Sequence, residues 1–185
     1  MVVCASGGGG NFRGIIAGAG LGGYSVTKLV VDRDCGALEV AAENEVPFEI
    51  VKSVSGKLES ACFLAAIPKT TRLIVLAGFM PILSGDIIDP WRGRVLNTHP
   101  SLLPKHGGIG MYGIRVQEAV LSAGDGWAGC TVHFADEVVD GGKIIDQRRI
   151  KVRTGESPWD LGGRVFQLEA PLLVETISRF ATEGF

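Results

Sequence analysis

The stretch VVCASGGGGNFRGII, residues 2–16, joins a short apolar segment to a helical one through four consecutive glycines. A valine-rich run that leads through glycines into an amphipathic segment is typical of a strand, a tight turn and a helix. In open α/β sheets, ligands bind beyond the carboxyl ends of the strands, where this turn would lie. The stretch therefore predicts the first strand–helix unit of an α/β fold, with a candidate ligand site at its turn.

The rest of the sequence continues this alternation of short β-branched runs with longer helical segments, which predicts a mostly parallel sheet. The last two predicted strands alternate polar and apolar residues, and the Asp-Gly-Gly between them favours a hairpin. We therefore expect an α/β, Rossmann-like open twisted sheet, mostly parallel, with antiparallel strands toward the C-terminal part and helices on both faces. The predicted strands are 2–5, 26–32, 47–51, 73–77, 94–98, 130–135 and 143–151, and the predicted helices are 11–17, 37–44, 58–66, 87–91, 111–122 and 159–181.

The composition narrows the class of protein. With 185 residues, 46% of them hydrophobic and 21% charged, the sequence fits one globular domain, residues 1–185. A net charge of −2 argues against a surface that binds nucleic-acid phosphates. The sequence predicts no membrane span, and its first residues lack the basic region of a secretory signal. The four widely spaced cysteines match neither a metal pair nor a disulfide framework, so we expect reduced thiols in a cytoplasmic protein.

The glycine turn has two interpretations. Free backbone N–H groups at a helix start attract anions, and glycine lets an anion approach them closely. The dinucleotide fingerprint GxGxxG is not met, because its third glycine would fall on Phe12 or Arg13, and the Walker pattern fails because Ile15 follows Gly14. Asp32, at the end of the second strand, is then a turn residue. The turn predicts either a cradle for a small phosphorylated ligand or a plain tight turn.

Three polar residues form a candidate catalytic group. In VLNTHPSLLPK, residues 95–105, Asn97 and His99 end a strand and project to the same side, because side chains alternate along a strand. Asp140 follows another strand, and a carboxylate near an imidazole raises the imidazole pKa. An imidazolium and an amide can stabilise an oxyanion, and a histidine can transfer protons. The group therefore fits attack by an amine on an acyl carbon.

Plainer interpretations exist for each polar residue. Asn97 and Asp140 also suit ordinary turns, His133 suits a satisfied position inside a strand, and His106 suits an exposed loop. Neither HExxH nor paired Cys/His spacing supports a metal site, so we predict no metal. No GxSxG elbow supports a serine nucleophile.

Four motifs occur in the order found in the folate-dependent formyltransferases. They are SGGGGNF (6–12), LAGFMPILS (76–84), LNTHPSLLPK (96–105) and TVHFADEVVDGGKII (131–145). The chain resembles this family over nearly its whole length, and most closely the branch that acts on glycinamide ribonucleotide. The resemblance implies transfer of a formyl group from the co-substrate 10-formyltetrahydrofolate to the amine of a small molecule, with glycinamide ribonucleotide in de novo purine biosynthesis as the leading acceptor.

The resemblance also assigns residues to roles. Residues 1–98 would form the phosphate-binding half and residues 99–185 the folate and catalytic half. The implied catalytic residues are Asn97, His99 and Asp140. The implied substrate-binding residues are Gly9, Gly10, Asn11, Lys57, Met80, Pro100 and Glu169. The implied residues around the folate are Phe79, Ile82, Leu83, Ala135, Asp136, Glu137 and Val138.

Several residues depart from the family pattern, mostly on the acceptor side. The departures are Gly10 for a serine or threonine, Pro81 for an arginine, Gln117 and Ala170 for histidines, and Phe166 for a polar residue. They leave open a different small amine as acceptor, such as an amino sugar, and hydrolysis of formyltetrahydrofolate. The hydrolases of this type carry an added N-terminal regulatory domain, which we do not expect here. The expected partners are small molecules rather than nucleic acid or membrane, and a homodimer is compatible with the sequence.

Overall fold

A seven-stranded sheet forms the centre of the protein. The computed structural model describes residues 1–54 and 57–183. The strands are β1 (Val2–Ala5), β2 (Lys28–Val31), β3 (Phe48–Ile50), β4 (Ser53–Val54), β5 (Lys57–Leu58), β6 (Ile74–Leu76), β7 (Val95–His99), β8 (Trp127–Phe134) and β9 (Ile144–Lys151). The sheet order is β3-β2-β1-β6-β7-β8-β9, with β4 and β5 paired separately. Pairing is parallel from β3 to β7 and antiparallel for β8 and β9, so the predicted fold class is confirmed.

Helices cover both faces of this sheet because central strands such as β1 and β6 bury apolar side chains on both sides. The helices are α1 (Gly10–Gly18), α2 (Ala37–Glu43), α3 (Ser60–Ala66), α4 (Gly85–Ile88), α5 (Ile114–Ser122) and α6 (Pro158–Glu183). Along β1, Val3 and Ala5 belong to one buried cluster with Phe12 of α1, whereas Val2 and Cys4 belong to another with Phe63 of α3. Burying a large apolar side chain contributes roughly 1.5–3 kcal/mol. None of the helices in the described part of the chain is long and apolar enough to cross a membrane.

Two predicted helix boundaries are wrong for backbone reasons. Helix α5 begins at Ile114 rather than at residue 111, because Gly113 has φ +58° and ψ −137°, outside the helical region. The helix predicted at 87–91 is α-helical only over Gly85–Ile88 and continues as a 3₁₀ turn over Asp89–Trp91. Pro90 explains this change, since it has no N–H to donate to a carbonyl four residues earlier.

Two strand predictions also need correction. The two-residue strands β4 and β5 were not predicted, and β5 includes Leu58, which the sequence assigns to a helix. Strand β8 begins at Trp127, three residues earlier than predicted, and Trp127 pairs with Lys151 of β9. The Arg149 guanidinium lies 4.7 Å from the centre of the Trp127 ring, so the exposed start of this strand is stabilised by a cation–π contact.

Helix α1 lies close to α6 because glycines face it. A Cβ built on Gly14 would lie 2.6 Å from the Ala170 Cβ, and one built on Gly10 would lie 2.5 Å from the Phe166 Cζ. Both pairs follow the four-residue spacing of helix ridges. Because Gly10 and Gly14 have no Cβ, α1 can approach α6 closely. This close approach fixes the position of α6 relative to the sheet.

Gly14→Ala is expected to destabilise the protein by about 1–3 kcal/mol in urea unfolding, because the added methyl overpacks the contact with Ala170. Ala170→Gly in the double variant removes the overlap and should restore the loss except for the about 0.5–1 kcal/mol that glycine costs inside a helix. The control is Gly163→Ala, on an open part of α6 where a Cβ meets no atom within 4 Å; alanine should stabilise the helix there by about 0.5–1 kcal/mol. Equal effects at positions 14 and 163 would contradict the close packing of α1 on α6.

Candidate active site

A cleft of about 1000 Å³ opens beyond the carboxyl ends of β6 and β7. Its walls come from parts of residues 76–88, 97–100, 108–117, 133–140 and 159–169. Most of the lining is apolar, and the acidic and basic side chains found there among the described residues are His99, Arg115, His133, Asp136, Asp140 and Glu169. An apolar cleft with a few convergent polar groups is the usual form of a small-molecule site.

Asn97 lies on the cleft wall, and its orientation is set by the strand pairing. In the antiparallel register of β7 and β8, Asn97 is opposite His133. The Asn97 Nδ2 lies 3.0 Å from the His133 Nε2 and 3.4 Å from the Asp140 Oδ1. The His133 Nδ1 lies 2.8 Å from the Phe134 carbonyl and must donate to it, so in the neutral ring Nε2 accepts from Asn97. His133 therefore orients the Asn97 amide.

His99 is buried between two oxygen atoms. Its Nδ1 lies 3.2 Å from the Asp140 Oδ2, and its Nε2 lies 2.8 Å from the His106 carbonyl oxygen. Burial lowers the pKa of His99 below its ordinary value, although Asp140 and the His106 carbonyl act in the opposite direction. The sequence correctly predicts the sign of the Asp140 contribution, but the net shift is downward because desolvation of the ring is larger.

Asp140 connects the whole group. Its Oδ2 accepts a hydrogen bond of 2.9 Å from the Gly108 N–H, and its backbone has φ +56°, which aspartate tolerates better than most residues. Burial acts to raise the pKa of Asp140, but the facing His133, His99 and Gly108 outweigh it and hold that pKa below its usual range. Asp140 is therefore the fixed negative charge of the cluster.

The chain segment after His99 is fixed by a buried polar network. The Thr131 hydroxyl donates to the Ser101 carbonyl at 2.6 Å and accepts from the Leu103 N–H at 3.1 Å. Further along, the His106 Nε2 lies 2.8 Å from the Asp125 Oδ2. His106 is thus an anchor of the loop that contacts His99, rather than the surface residue that the sequence suggests.

The other end of the cleft is formed by α6, which contacts the start of α1 on the side away from the cleft lining. The Asn11 Nδ2 donates to the Glu169 Oε2 at 2.5 Å. Burial raises the pKa of Glu169 to about 7, with the Asn11 hydrogen bond acting to lower it. The Phe166 ring contacts Gly10 and is half exposed toward the cleft. A buried carboxyl group and an aromatic ring therefore lie between the cleft and the glycine turn.

Glu169→Gln is expected to remove a pH dependence of stability. The pKa of Glu169 is about 7 in the folded protein and its ordinary value is 4.5, so between these values the unfolded chain loses a proton that the folded protein keeps. Stability then falls as the pH rises through this window, by up to ~3 kcal/mol. Glutamine still accepts from Asn11, so the variant should be more stable than the parent at pH 8 and similar to it below pH 4.5.

Urea unfolding between pH 4.5 and pH 8 measures this difference. The matched control is Glu175→Gln, on the same helix, whose side chain is 58% exposed and pairs with Arg148. Its stability curve should run parallel to that of the parent protein. A Glu169→Gln curve that also runs parallel would show that Glu169 ionises normally.

The structure brings many, but not all, of the predicted residues to one cleft. The predicted residues that line it are Phe79, Met80, Ile82, Leu83, Asn97, His99, Pro100, Ala135, Asp136, Asp140 and Glu169. Those outside its lining are Gly9, Gly10, Asn11, Lys57, Glu137 and Val138. Asn11 still reaches it through Glu169, and Lys57 forms a parallel bridge with Ile82. The Glu137 and Val138 side chains are exposed.

Sequence reasoning missed His133 as part of this group. A histidine inside an apolar strand has no local signal of function, and its role depends on the register that places it opposite Asn97. If the strand ending in Asn-Thr-His had been paired antiparallel with the strand TVHFA, His133 would have been placed opposite Asn97. In the described ranges, 1–54 and 57–183, no group of three or more His, Cys, Asp or Glu side chains is arranged to hold a metal ion.

The fold and the cleft define an α/β protein with a small-molecule site, where an amide, two imidazoles and a carboxylate lie together on one wall. Residues 1–177 match the family model described as formyl transferase. The chain belongs to the formyl transferase family.

Named relatives agree with this membership. The chain is 36% identical over 190 residues to the phosphoribosylglycinamide formyltransferase of Mycobacterium tuberculosis (strain ATCC 25618 / H37Rv), covering 100% of this chain and 86% of that protein. It is 33% identical over 191 residues to the chloroplastic phosphoribosylglycinamide formyltransferase of Arabidopsis thaliana, covering 99% of this chain but only 65% of that protein. The crystal structure of the Brucella melitensis phosphoribosylglycinamide formyltransferase superposes with a TM-score of 0.87 at 32% identity, over 98% of this chain and 94% of that one.

Proposed function

We propose that this protein transfers a formyl group from 10-formyltetrahydrofolate to the amine of glycinamide ribonucleotide. The observation that carries the proposal is the cluster of Asn97, His99 and Asp140 on the wall of one apolar cleft. The family membership and the names of the relatives support the same reaction. We also propose a cytoplasmic location, and leave a homodimer as a further hypothesis.

The chemistry follows from the donors in the cluster. The acceptor amine attacks the formyl carbon, a C–N bond forms and the carbonyl oxygen becomes an oxyanion. The Asn97 amide donates to that oxyanion, and His99 provides a second N–H once its Nε2 leaves the His106 carbonyl. As the bond to the folate nitrogen breaks, a proton passes from the attacking amine to that leaving nitrogen, with His99 and Asp140 guiding it. Asp140 supports the charged form of His99 while this happens.

The two ends of the cleft fit the two substrates. Phe79 and Leu83 are buried in one wall, whereas Met80 and Ile82 are half exposed beside them. Such a wall suits the flat, partly apolar folate. At the other end, Glu169 suits the hydroxyl groups of a ribose, since a buried carboxylate needs hydrogen-bond donors. We retain the glycine turn as the phosphate-binding element of this proposal.

A single assay tests the reaction. The purified protein is mixed with 10-formyltetrahydrofolate, and tetrahydrofolate release is followed spectroscopically with and without glycinamide ribonucleotide. Release that depends on the ribonucleotide is the expected result. Release without any amine indicates hydrolysis, and no release under either condition counts against the proposal.

One observation favours a second acceptor. The Phe166 ring contacts Gly10 at the start of α1, where the phosphate of the ribonucleotide would bind. An aromatic ring offers a phosphate no hydrogen bond, so this wall also suits an amine without a phosphate. Glycinamide ribonucleoside, added to the same assay, distinguishes the two: a higher kcat/KM for the nucleoside would favour the second acceptor.

A further inference from the structure

Gln117 of α5 has a buried side-chain amide whose N–H group is hydrogen-bonded but whose oxygen is not. Its side chain lies on the cleft wall and is 2% exposed. The Nε2 donates to the Pro100 carbonyl at 2.8 Å, but the buried Oε1 has no partner among the described residues. An unpaired buried acceptor is unfavourable, and such atoms in native proteins call for an explanation.

The direction of this amide is fixed. If the side chain were turned over, Oε1 would face the Pro100 carbonyl, and two acceptors would repel each other. The carbonyl of Pro100 therefore holds Nε2 toward the loop and leaves Oε1 as the free acceptor. What pairs with it must be a hydrogen-bond donor, which excludes the phosphate of a ligand.

The position of Gln117 indicates which part of a ligand it would meet. Its amide is bonded to the residue that directly follows His99. Its Cγ lies 3.5 Å from a Cβ built on Gly162, two turns before Glu169 on α6. Gln117 thus lies between the catalytic cluster and the helix that carries Glu169. In an acceptor with its amine at the cluster and its sugar at Glu169, the group between them is the amide.

We propose that the Gln117 Oε1 accepts a hydrogen bond from the amide N–H of the acceptor and so selects acceptors that carry this group. The inference rests on the proposed formyl transfer and adds a specificity-determining residue to it. When the ligand binds, both halves of the Gln117 amide are satisfied at once. An acceptor without the N–H leaves Oε1 buried and unpaired, and sites of this kind reject ligands that lack the matching group.

The test compares two acceptors, glycinamide ribonucleotide and its analogue with CH₂ in place of the amide N–H. The parent protein should prefer the amide by at least about tenfold in kcat/KM, since only the amide gives the buried Oε1 a hydrogen-bond partner. Gln117→Met keeps the length of the side chain but removes the acceptor, so it should lower kcat/KM for the amide only and bring the two acceptors close together. The KM for 10-formyltetrahydrofolate should not change.

Gln117→Glu distinguishes a direct contact of residue 117 with the acceptor from mere support of the loop at Pro100. Burial keeps this carboxyl group protonated, so its O–H donates to Pro100 and its carbonyl oxygen replaces Oε1. This variant should retain the preference for the amide acceptor. If Gln117 only supports the loop, neither substitution will change the ratio between the two acceptors.

The outcomes for the parent protein are decisive without any variant. Transfer to both acceptors with equal kcat/KM overturns the role of Gln117 and leaves the proposed reaction standing. Absence of transfer to both acceptors overturns the proposed reaction itself. A preference for the amide that persists in Gln117→Met also overturns the inference, because another group must then recognise the N–H.

Discussion

Asn97→Ala is expected to lower kcat for formyl transfer by about 100- to 1,000-fold while the protein stays folded, as found when one oxyanion donor is removed. His133 holds one N–H of the Asn97 amide at 3.0 Å, and the second makes only a 3.4 Å contact with Asp140. That weaker contact leaves the second N–H available to an oxyanion in the cleft. Steady-state kinetics with the two proposed substrates measures the effect, and thermal unfolding checks the fold.

Asn97→Asp distinguishes the donor from the shape of the side chain. Aspartate has nearly the same size but no N–H when ionised, and its charge would oppose both the oxyanion and Asp140. A loss at least as large as that of alanine is expected. The control is Asn44→Ala, at the end of α2, where the side chain donates to the Val40 carbonyl; its kcat should match the parent. Full activity in Asn97→Asp would remove Asn97 from the mechanism.

The sheet was predictable because its signals are local. Valine-rich runs such as residues 2–5 are apolar on both faces, a pattern that is typical of strands covered by helices on both sides. Where the prediction failed, the deciding contact lies far away in the sequence. Trp127 belongs to β8 because of its partner Lys151 on β9, and nothing in residues 124–129 indicates that pairing. The short β4–β5 pair is too small to produce a periodic pattern.

The site was predictable only in part for the same reason. Asn97 and His99 were found because two polar residues at alternate positions of a buried strand stand out locally. The role of His133 depends on strand register, and the lowered pKa of His99 depends on how deeply the fold buries its ring. The contact of Phe166 with Gly10 depends on two helices separated by most of the chain. These features depend on contacts between residues far apart in the chain, and such contacts cannot be identified from a single sequence.

Asp140→Asn is expected to lower kcat by at least about 100-fold, the usual contribution of a positioned proton-transfer group. Asparagine tolerates the φ of +56° at this position and still accepts from the Gly108 N–H, so the fold should persist. The variant removes the charge that supports protonated His99. The pKa of His99, already lowered by burial, should therefore fall further, and NMR titration of the ring measures this directly.

The control for the loss of one charge is Asp146→Asn, a partly exposed carboxylate on β9 that pairs with Arg179 at 2.8 Å. In Asp146→Asn, both kcat and the pKa of His99 should equal those of the parent protein. The kcat of the parent should fall with rising pH as His99 loses its proton. In Asp140→Asn the remaining kcat should fall at a lower pH, because His99 then gives up its proton more readily. A lowered pKa of His99 with unchanged kcat would mean that the charge on this ring has no part in formyl transfer, and the role of Asp140 would reduce to holding the loop at Gly108.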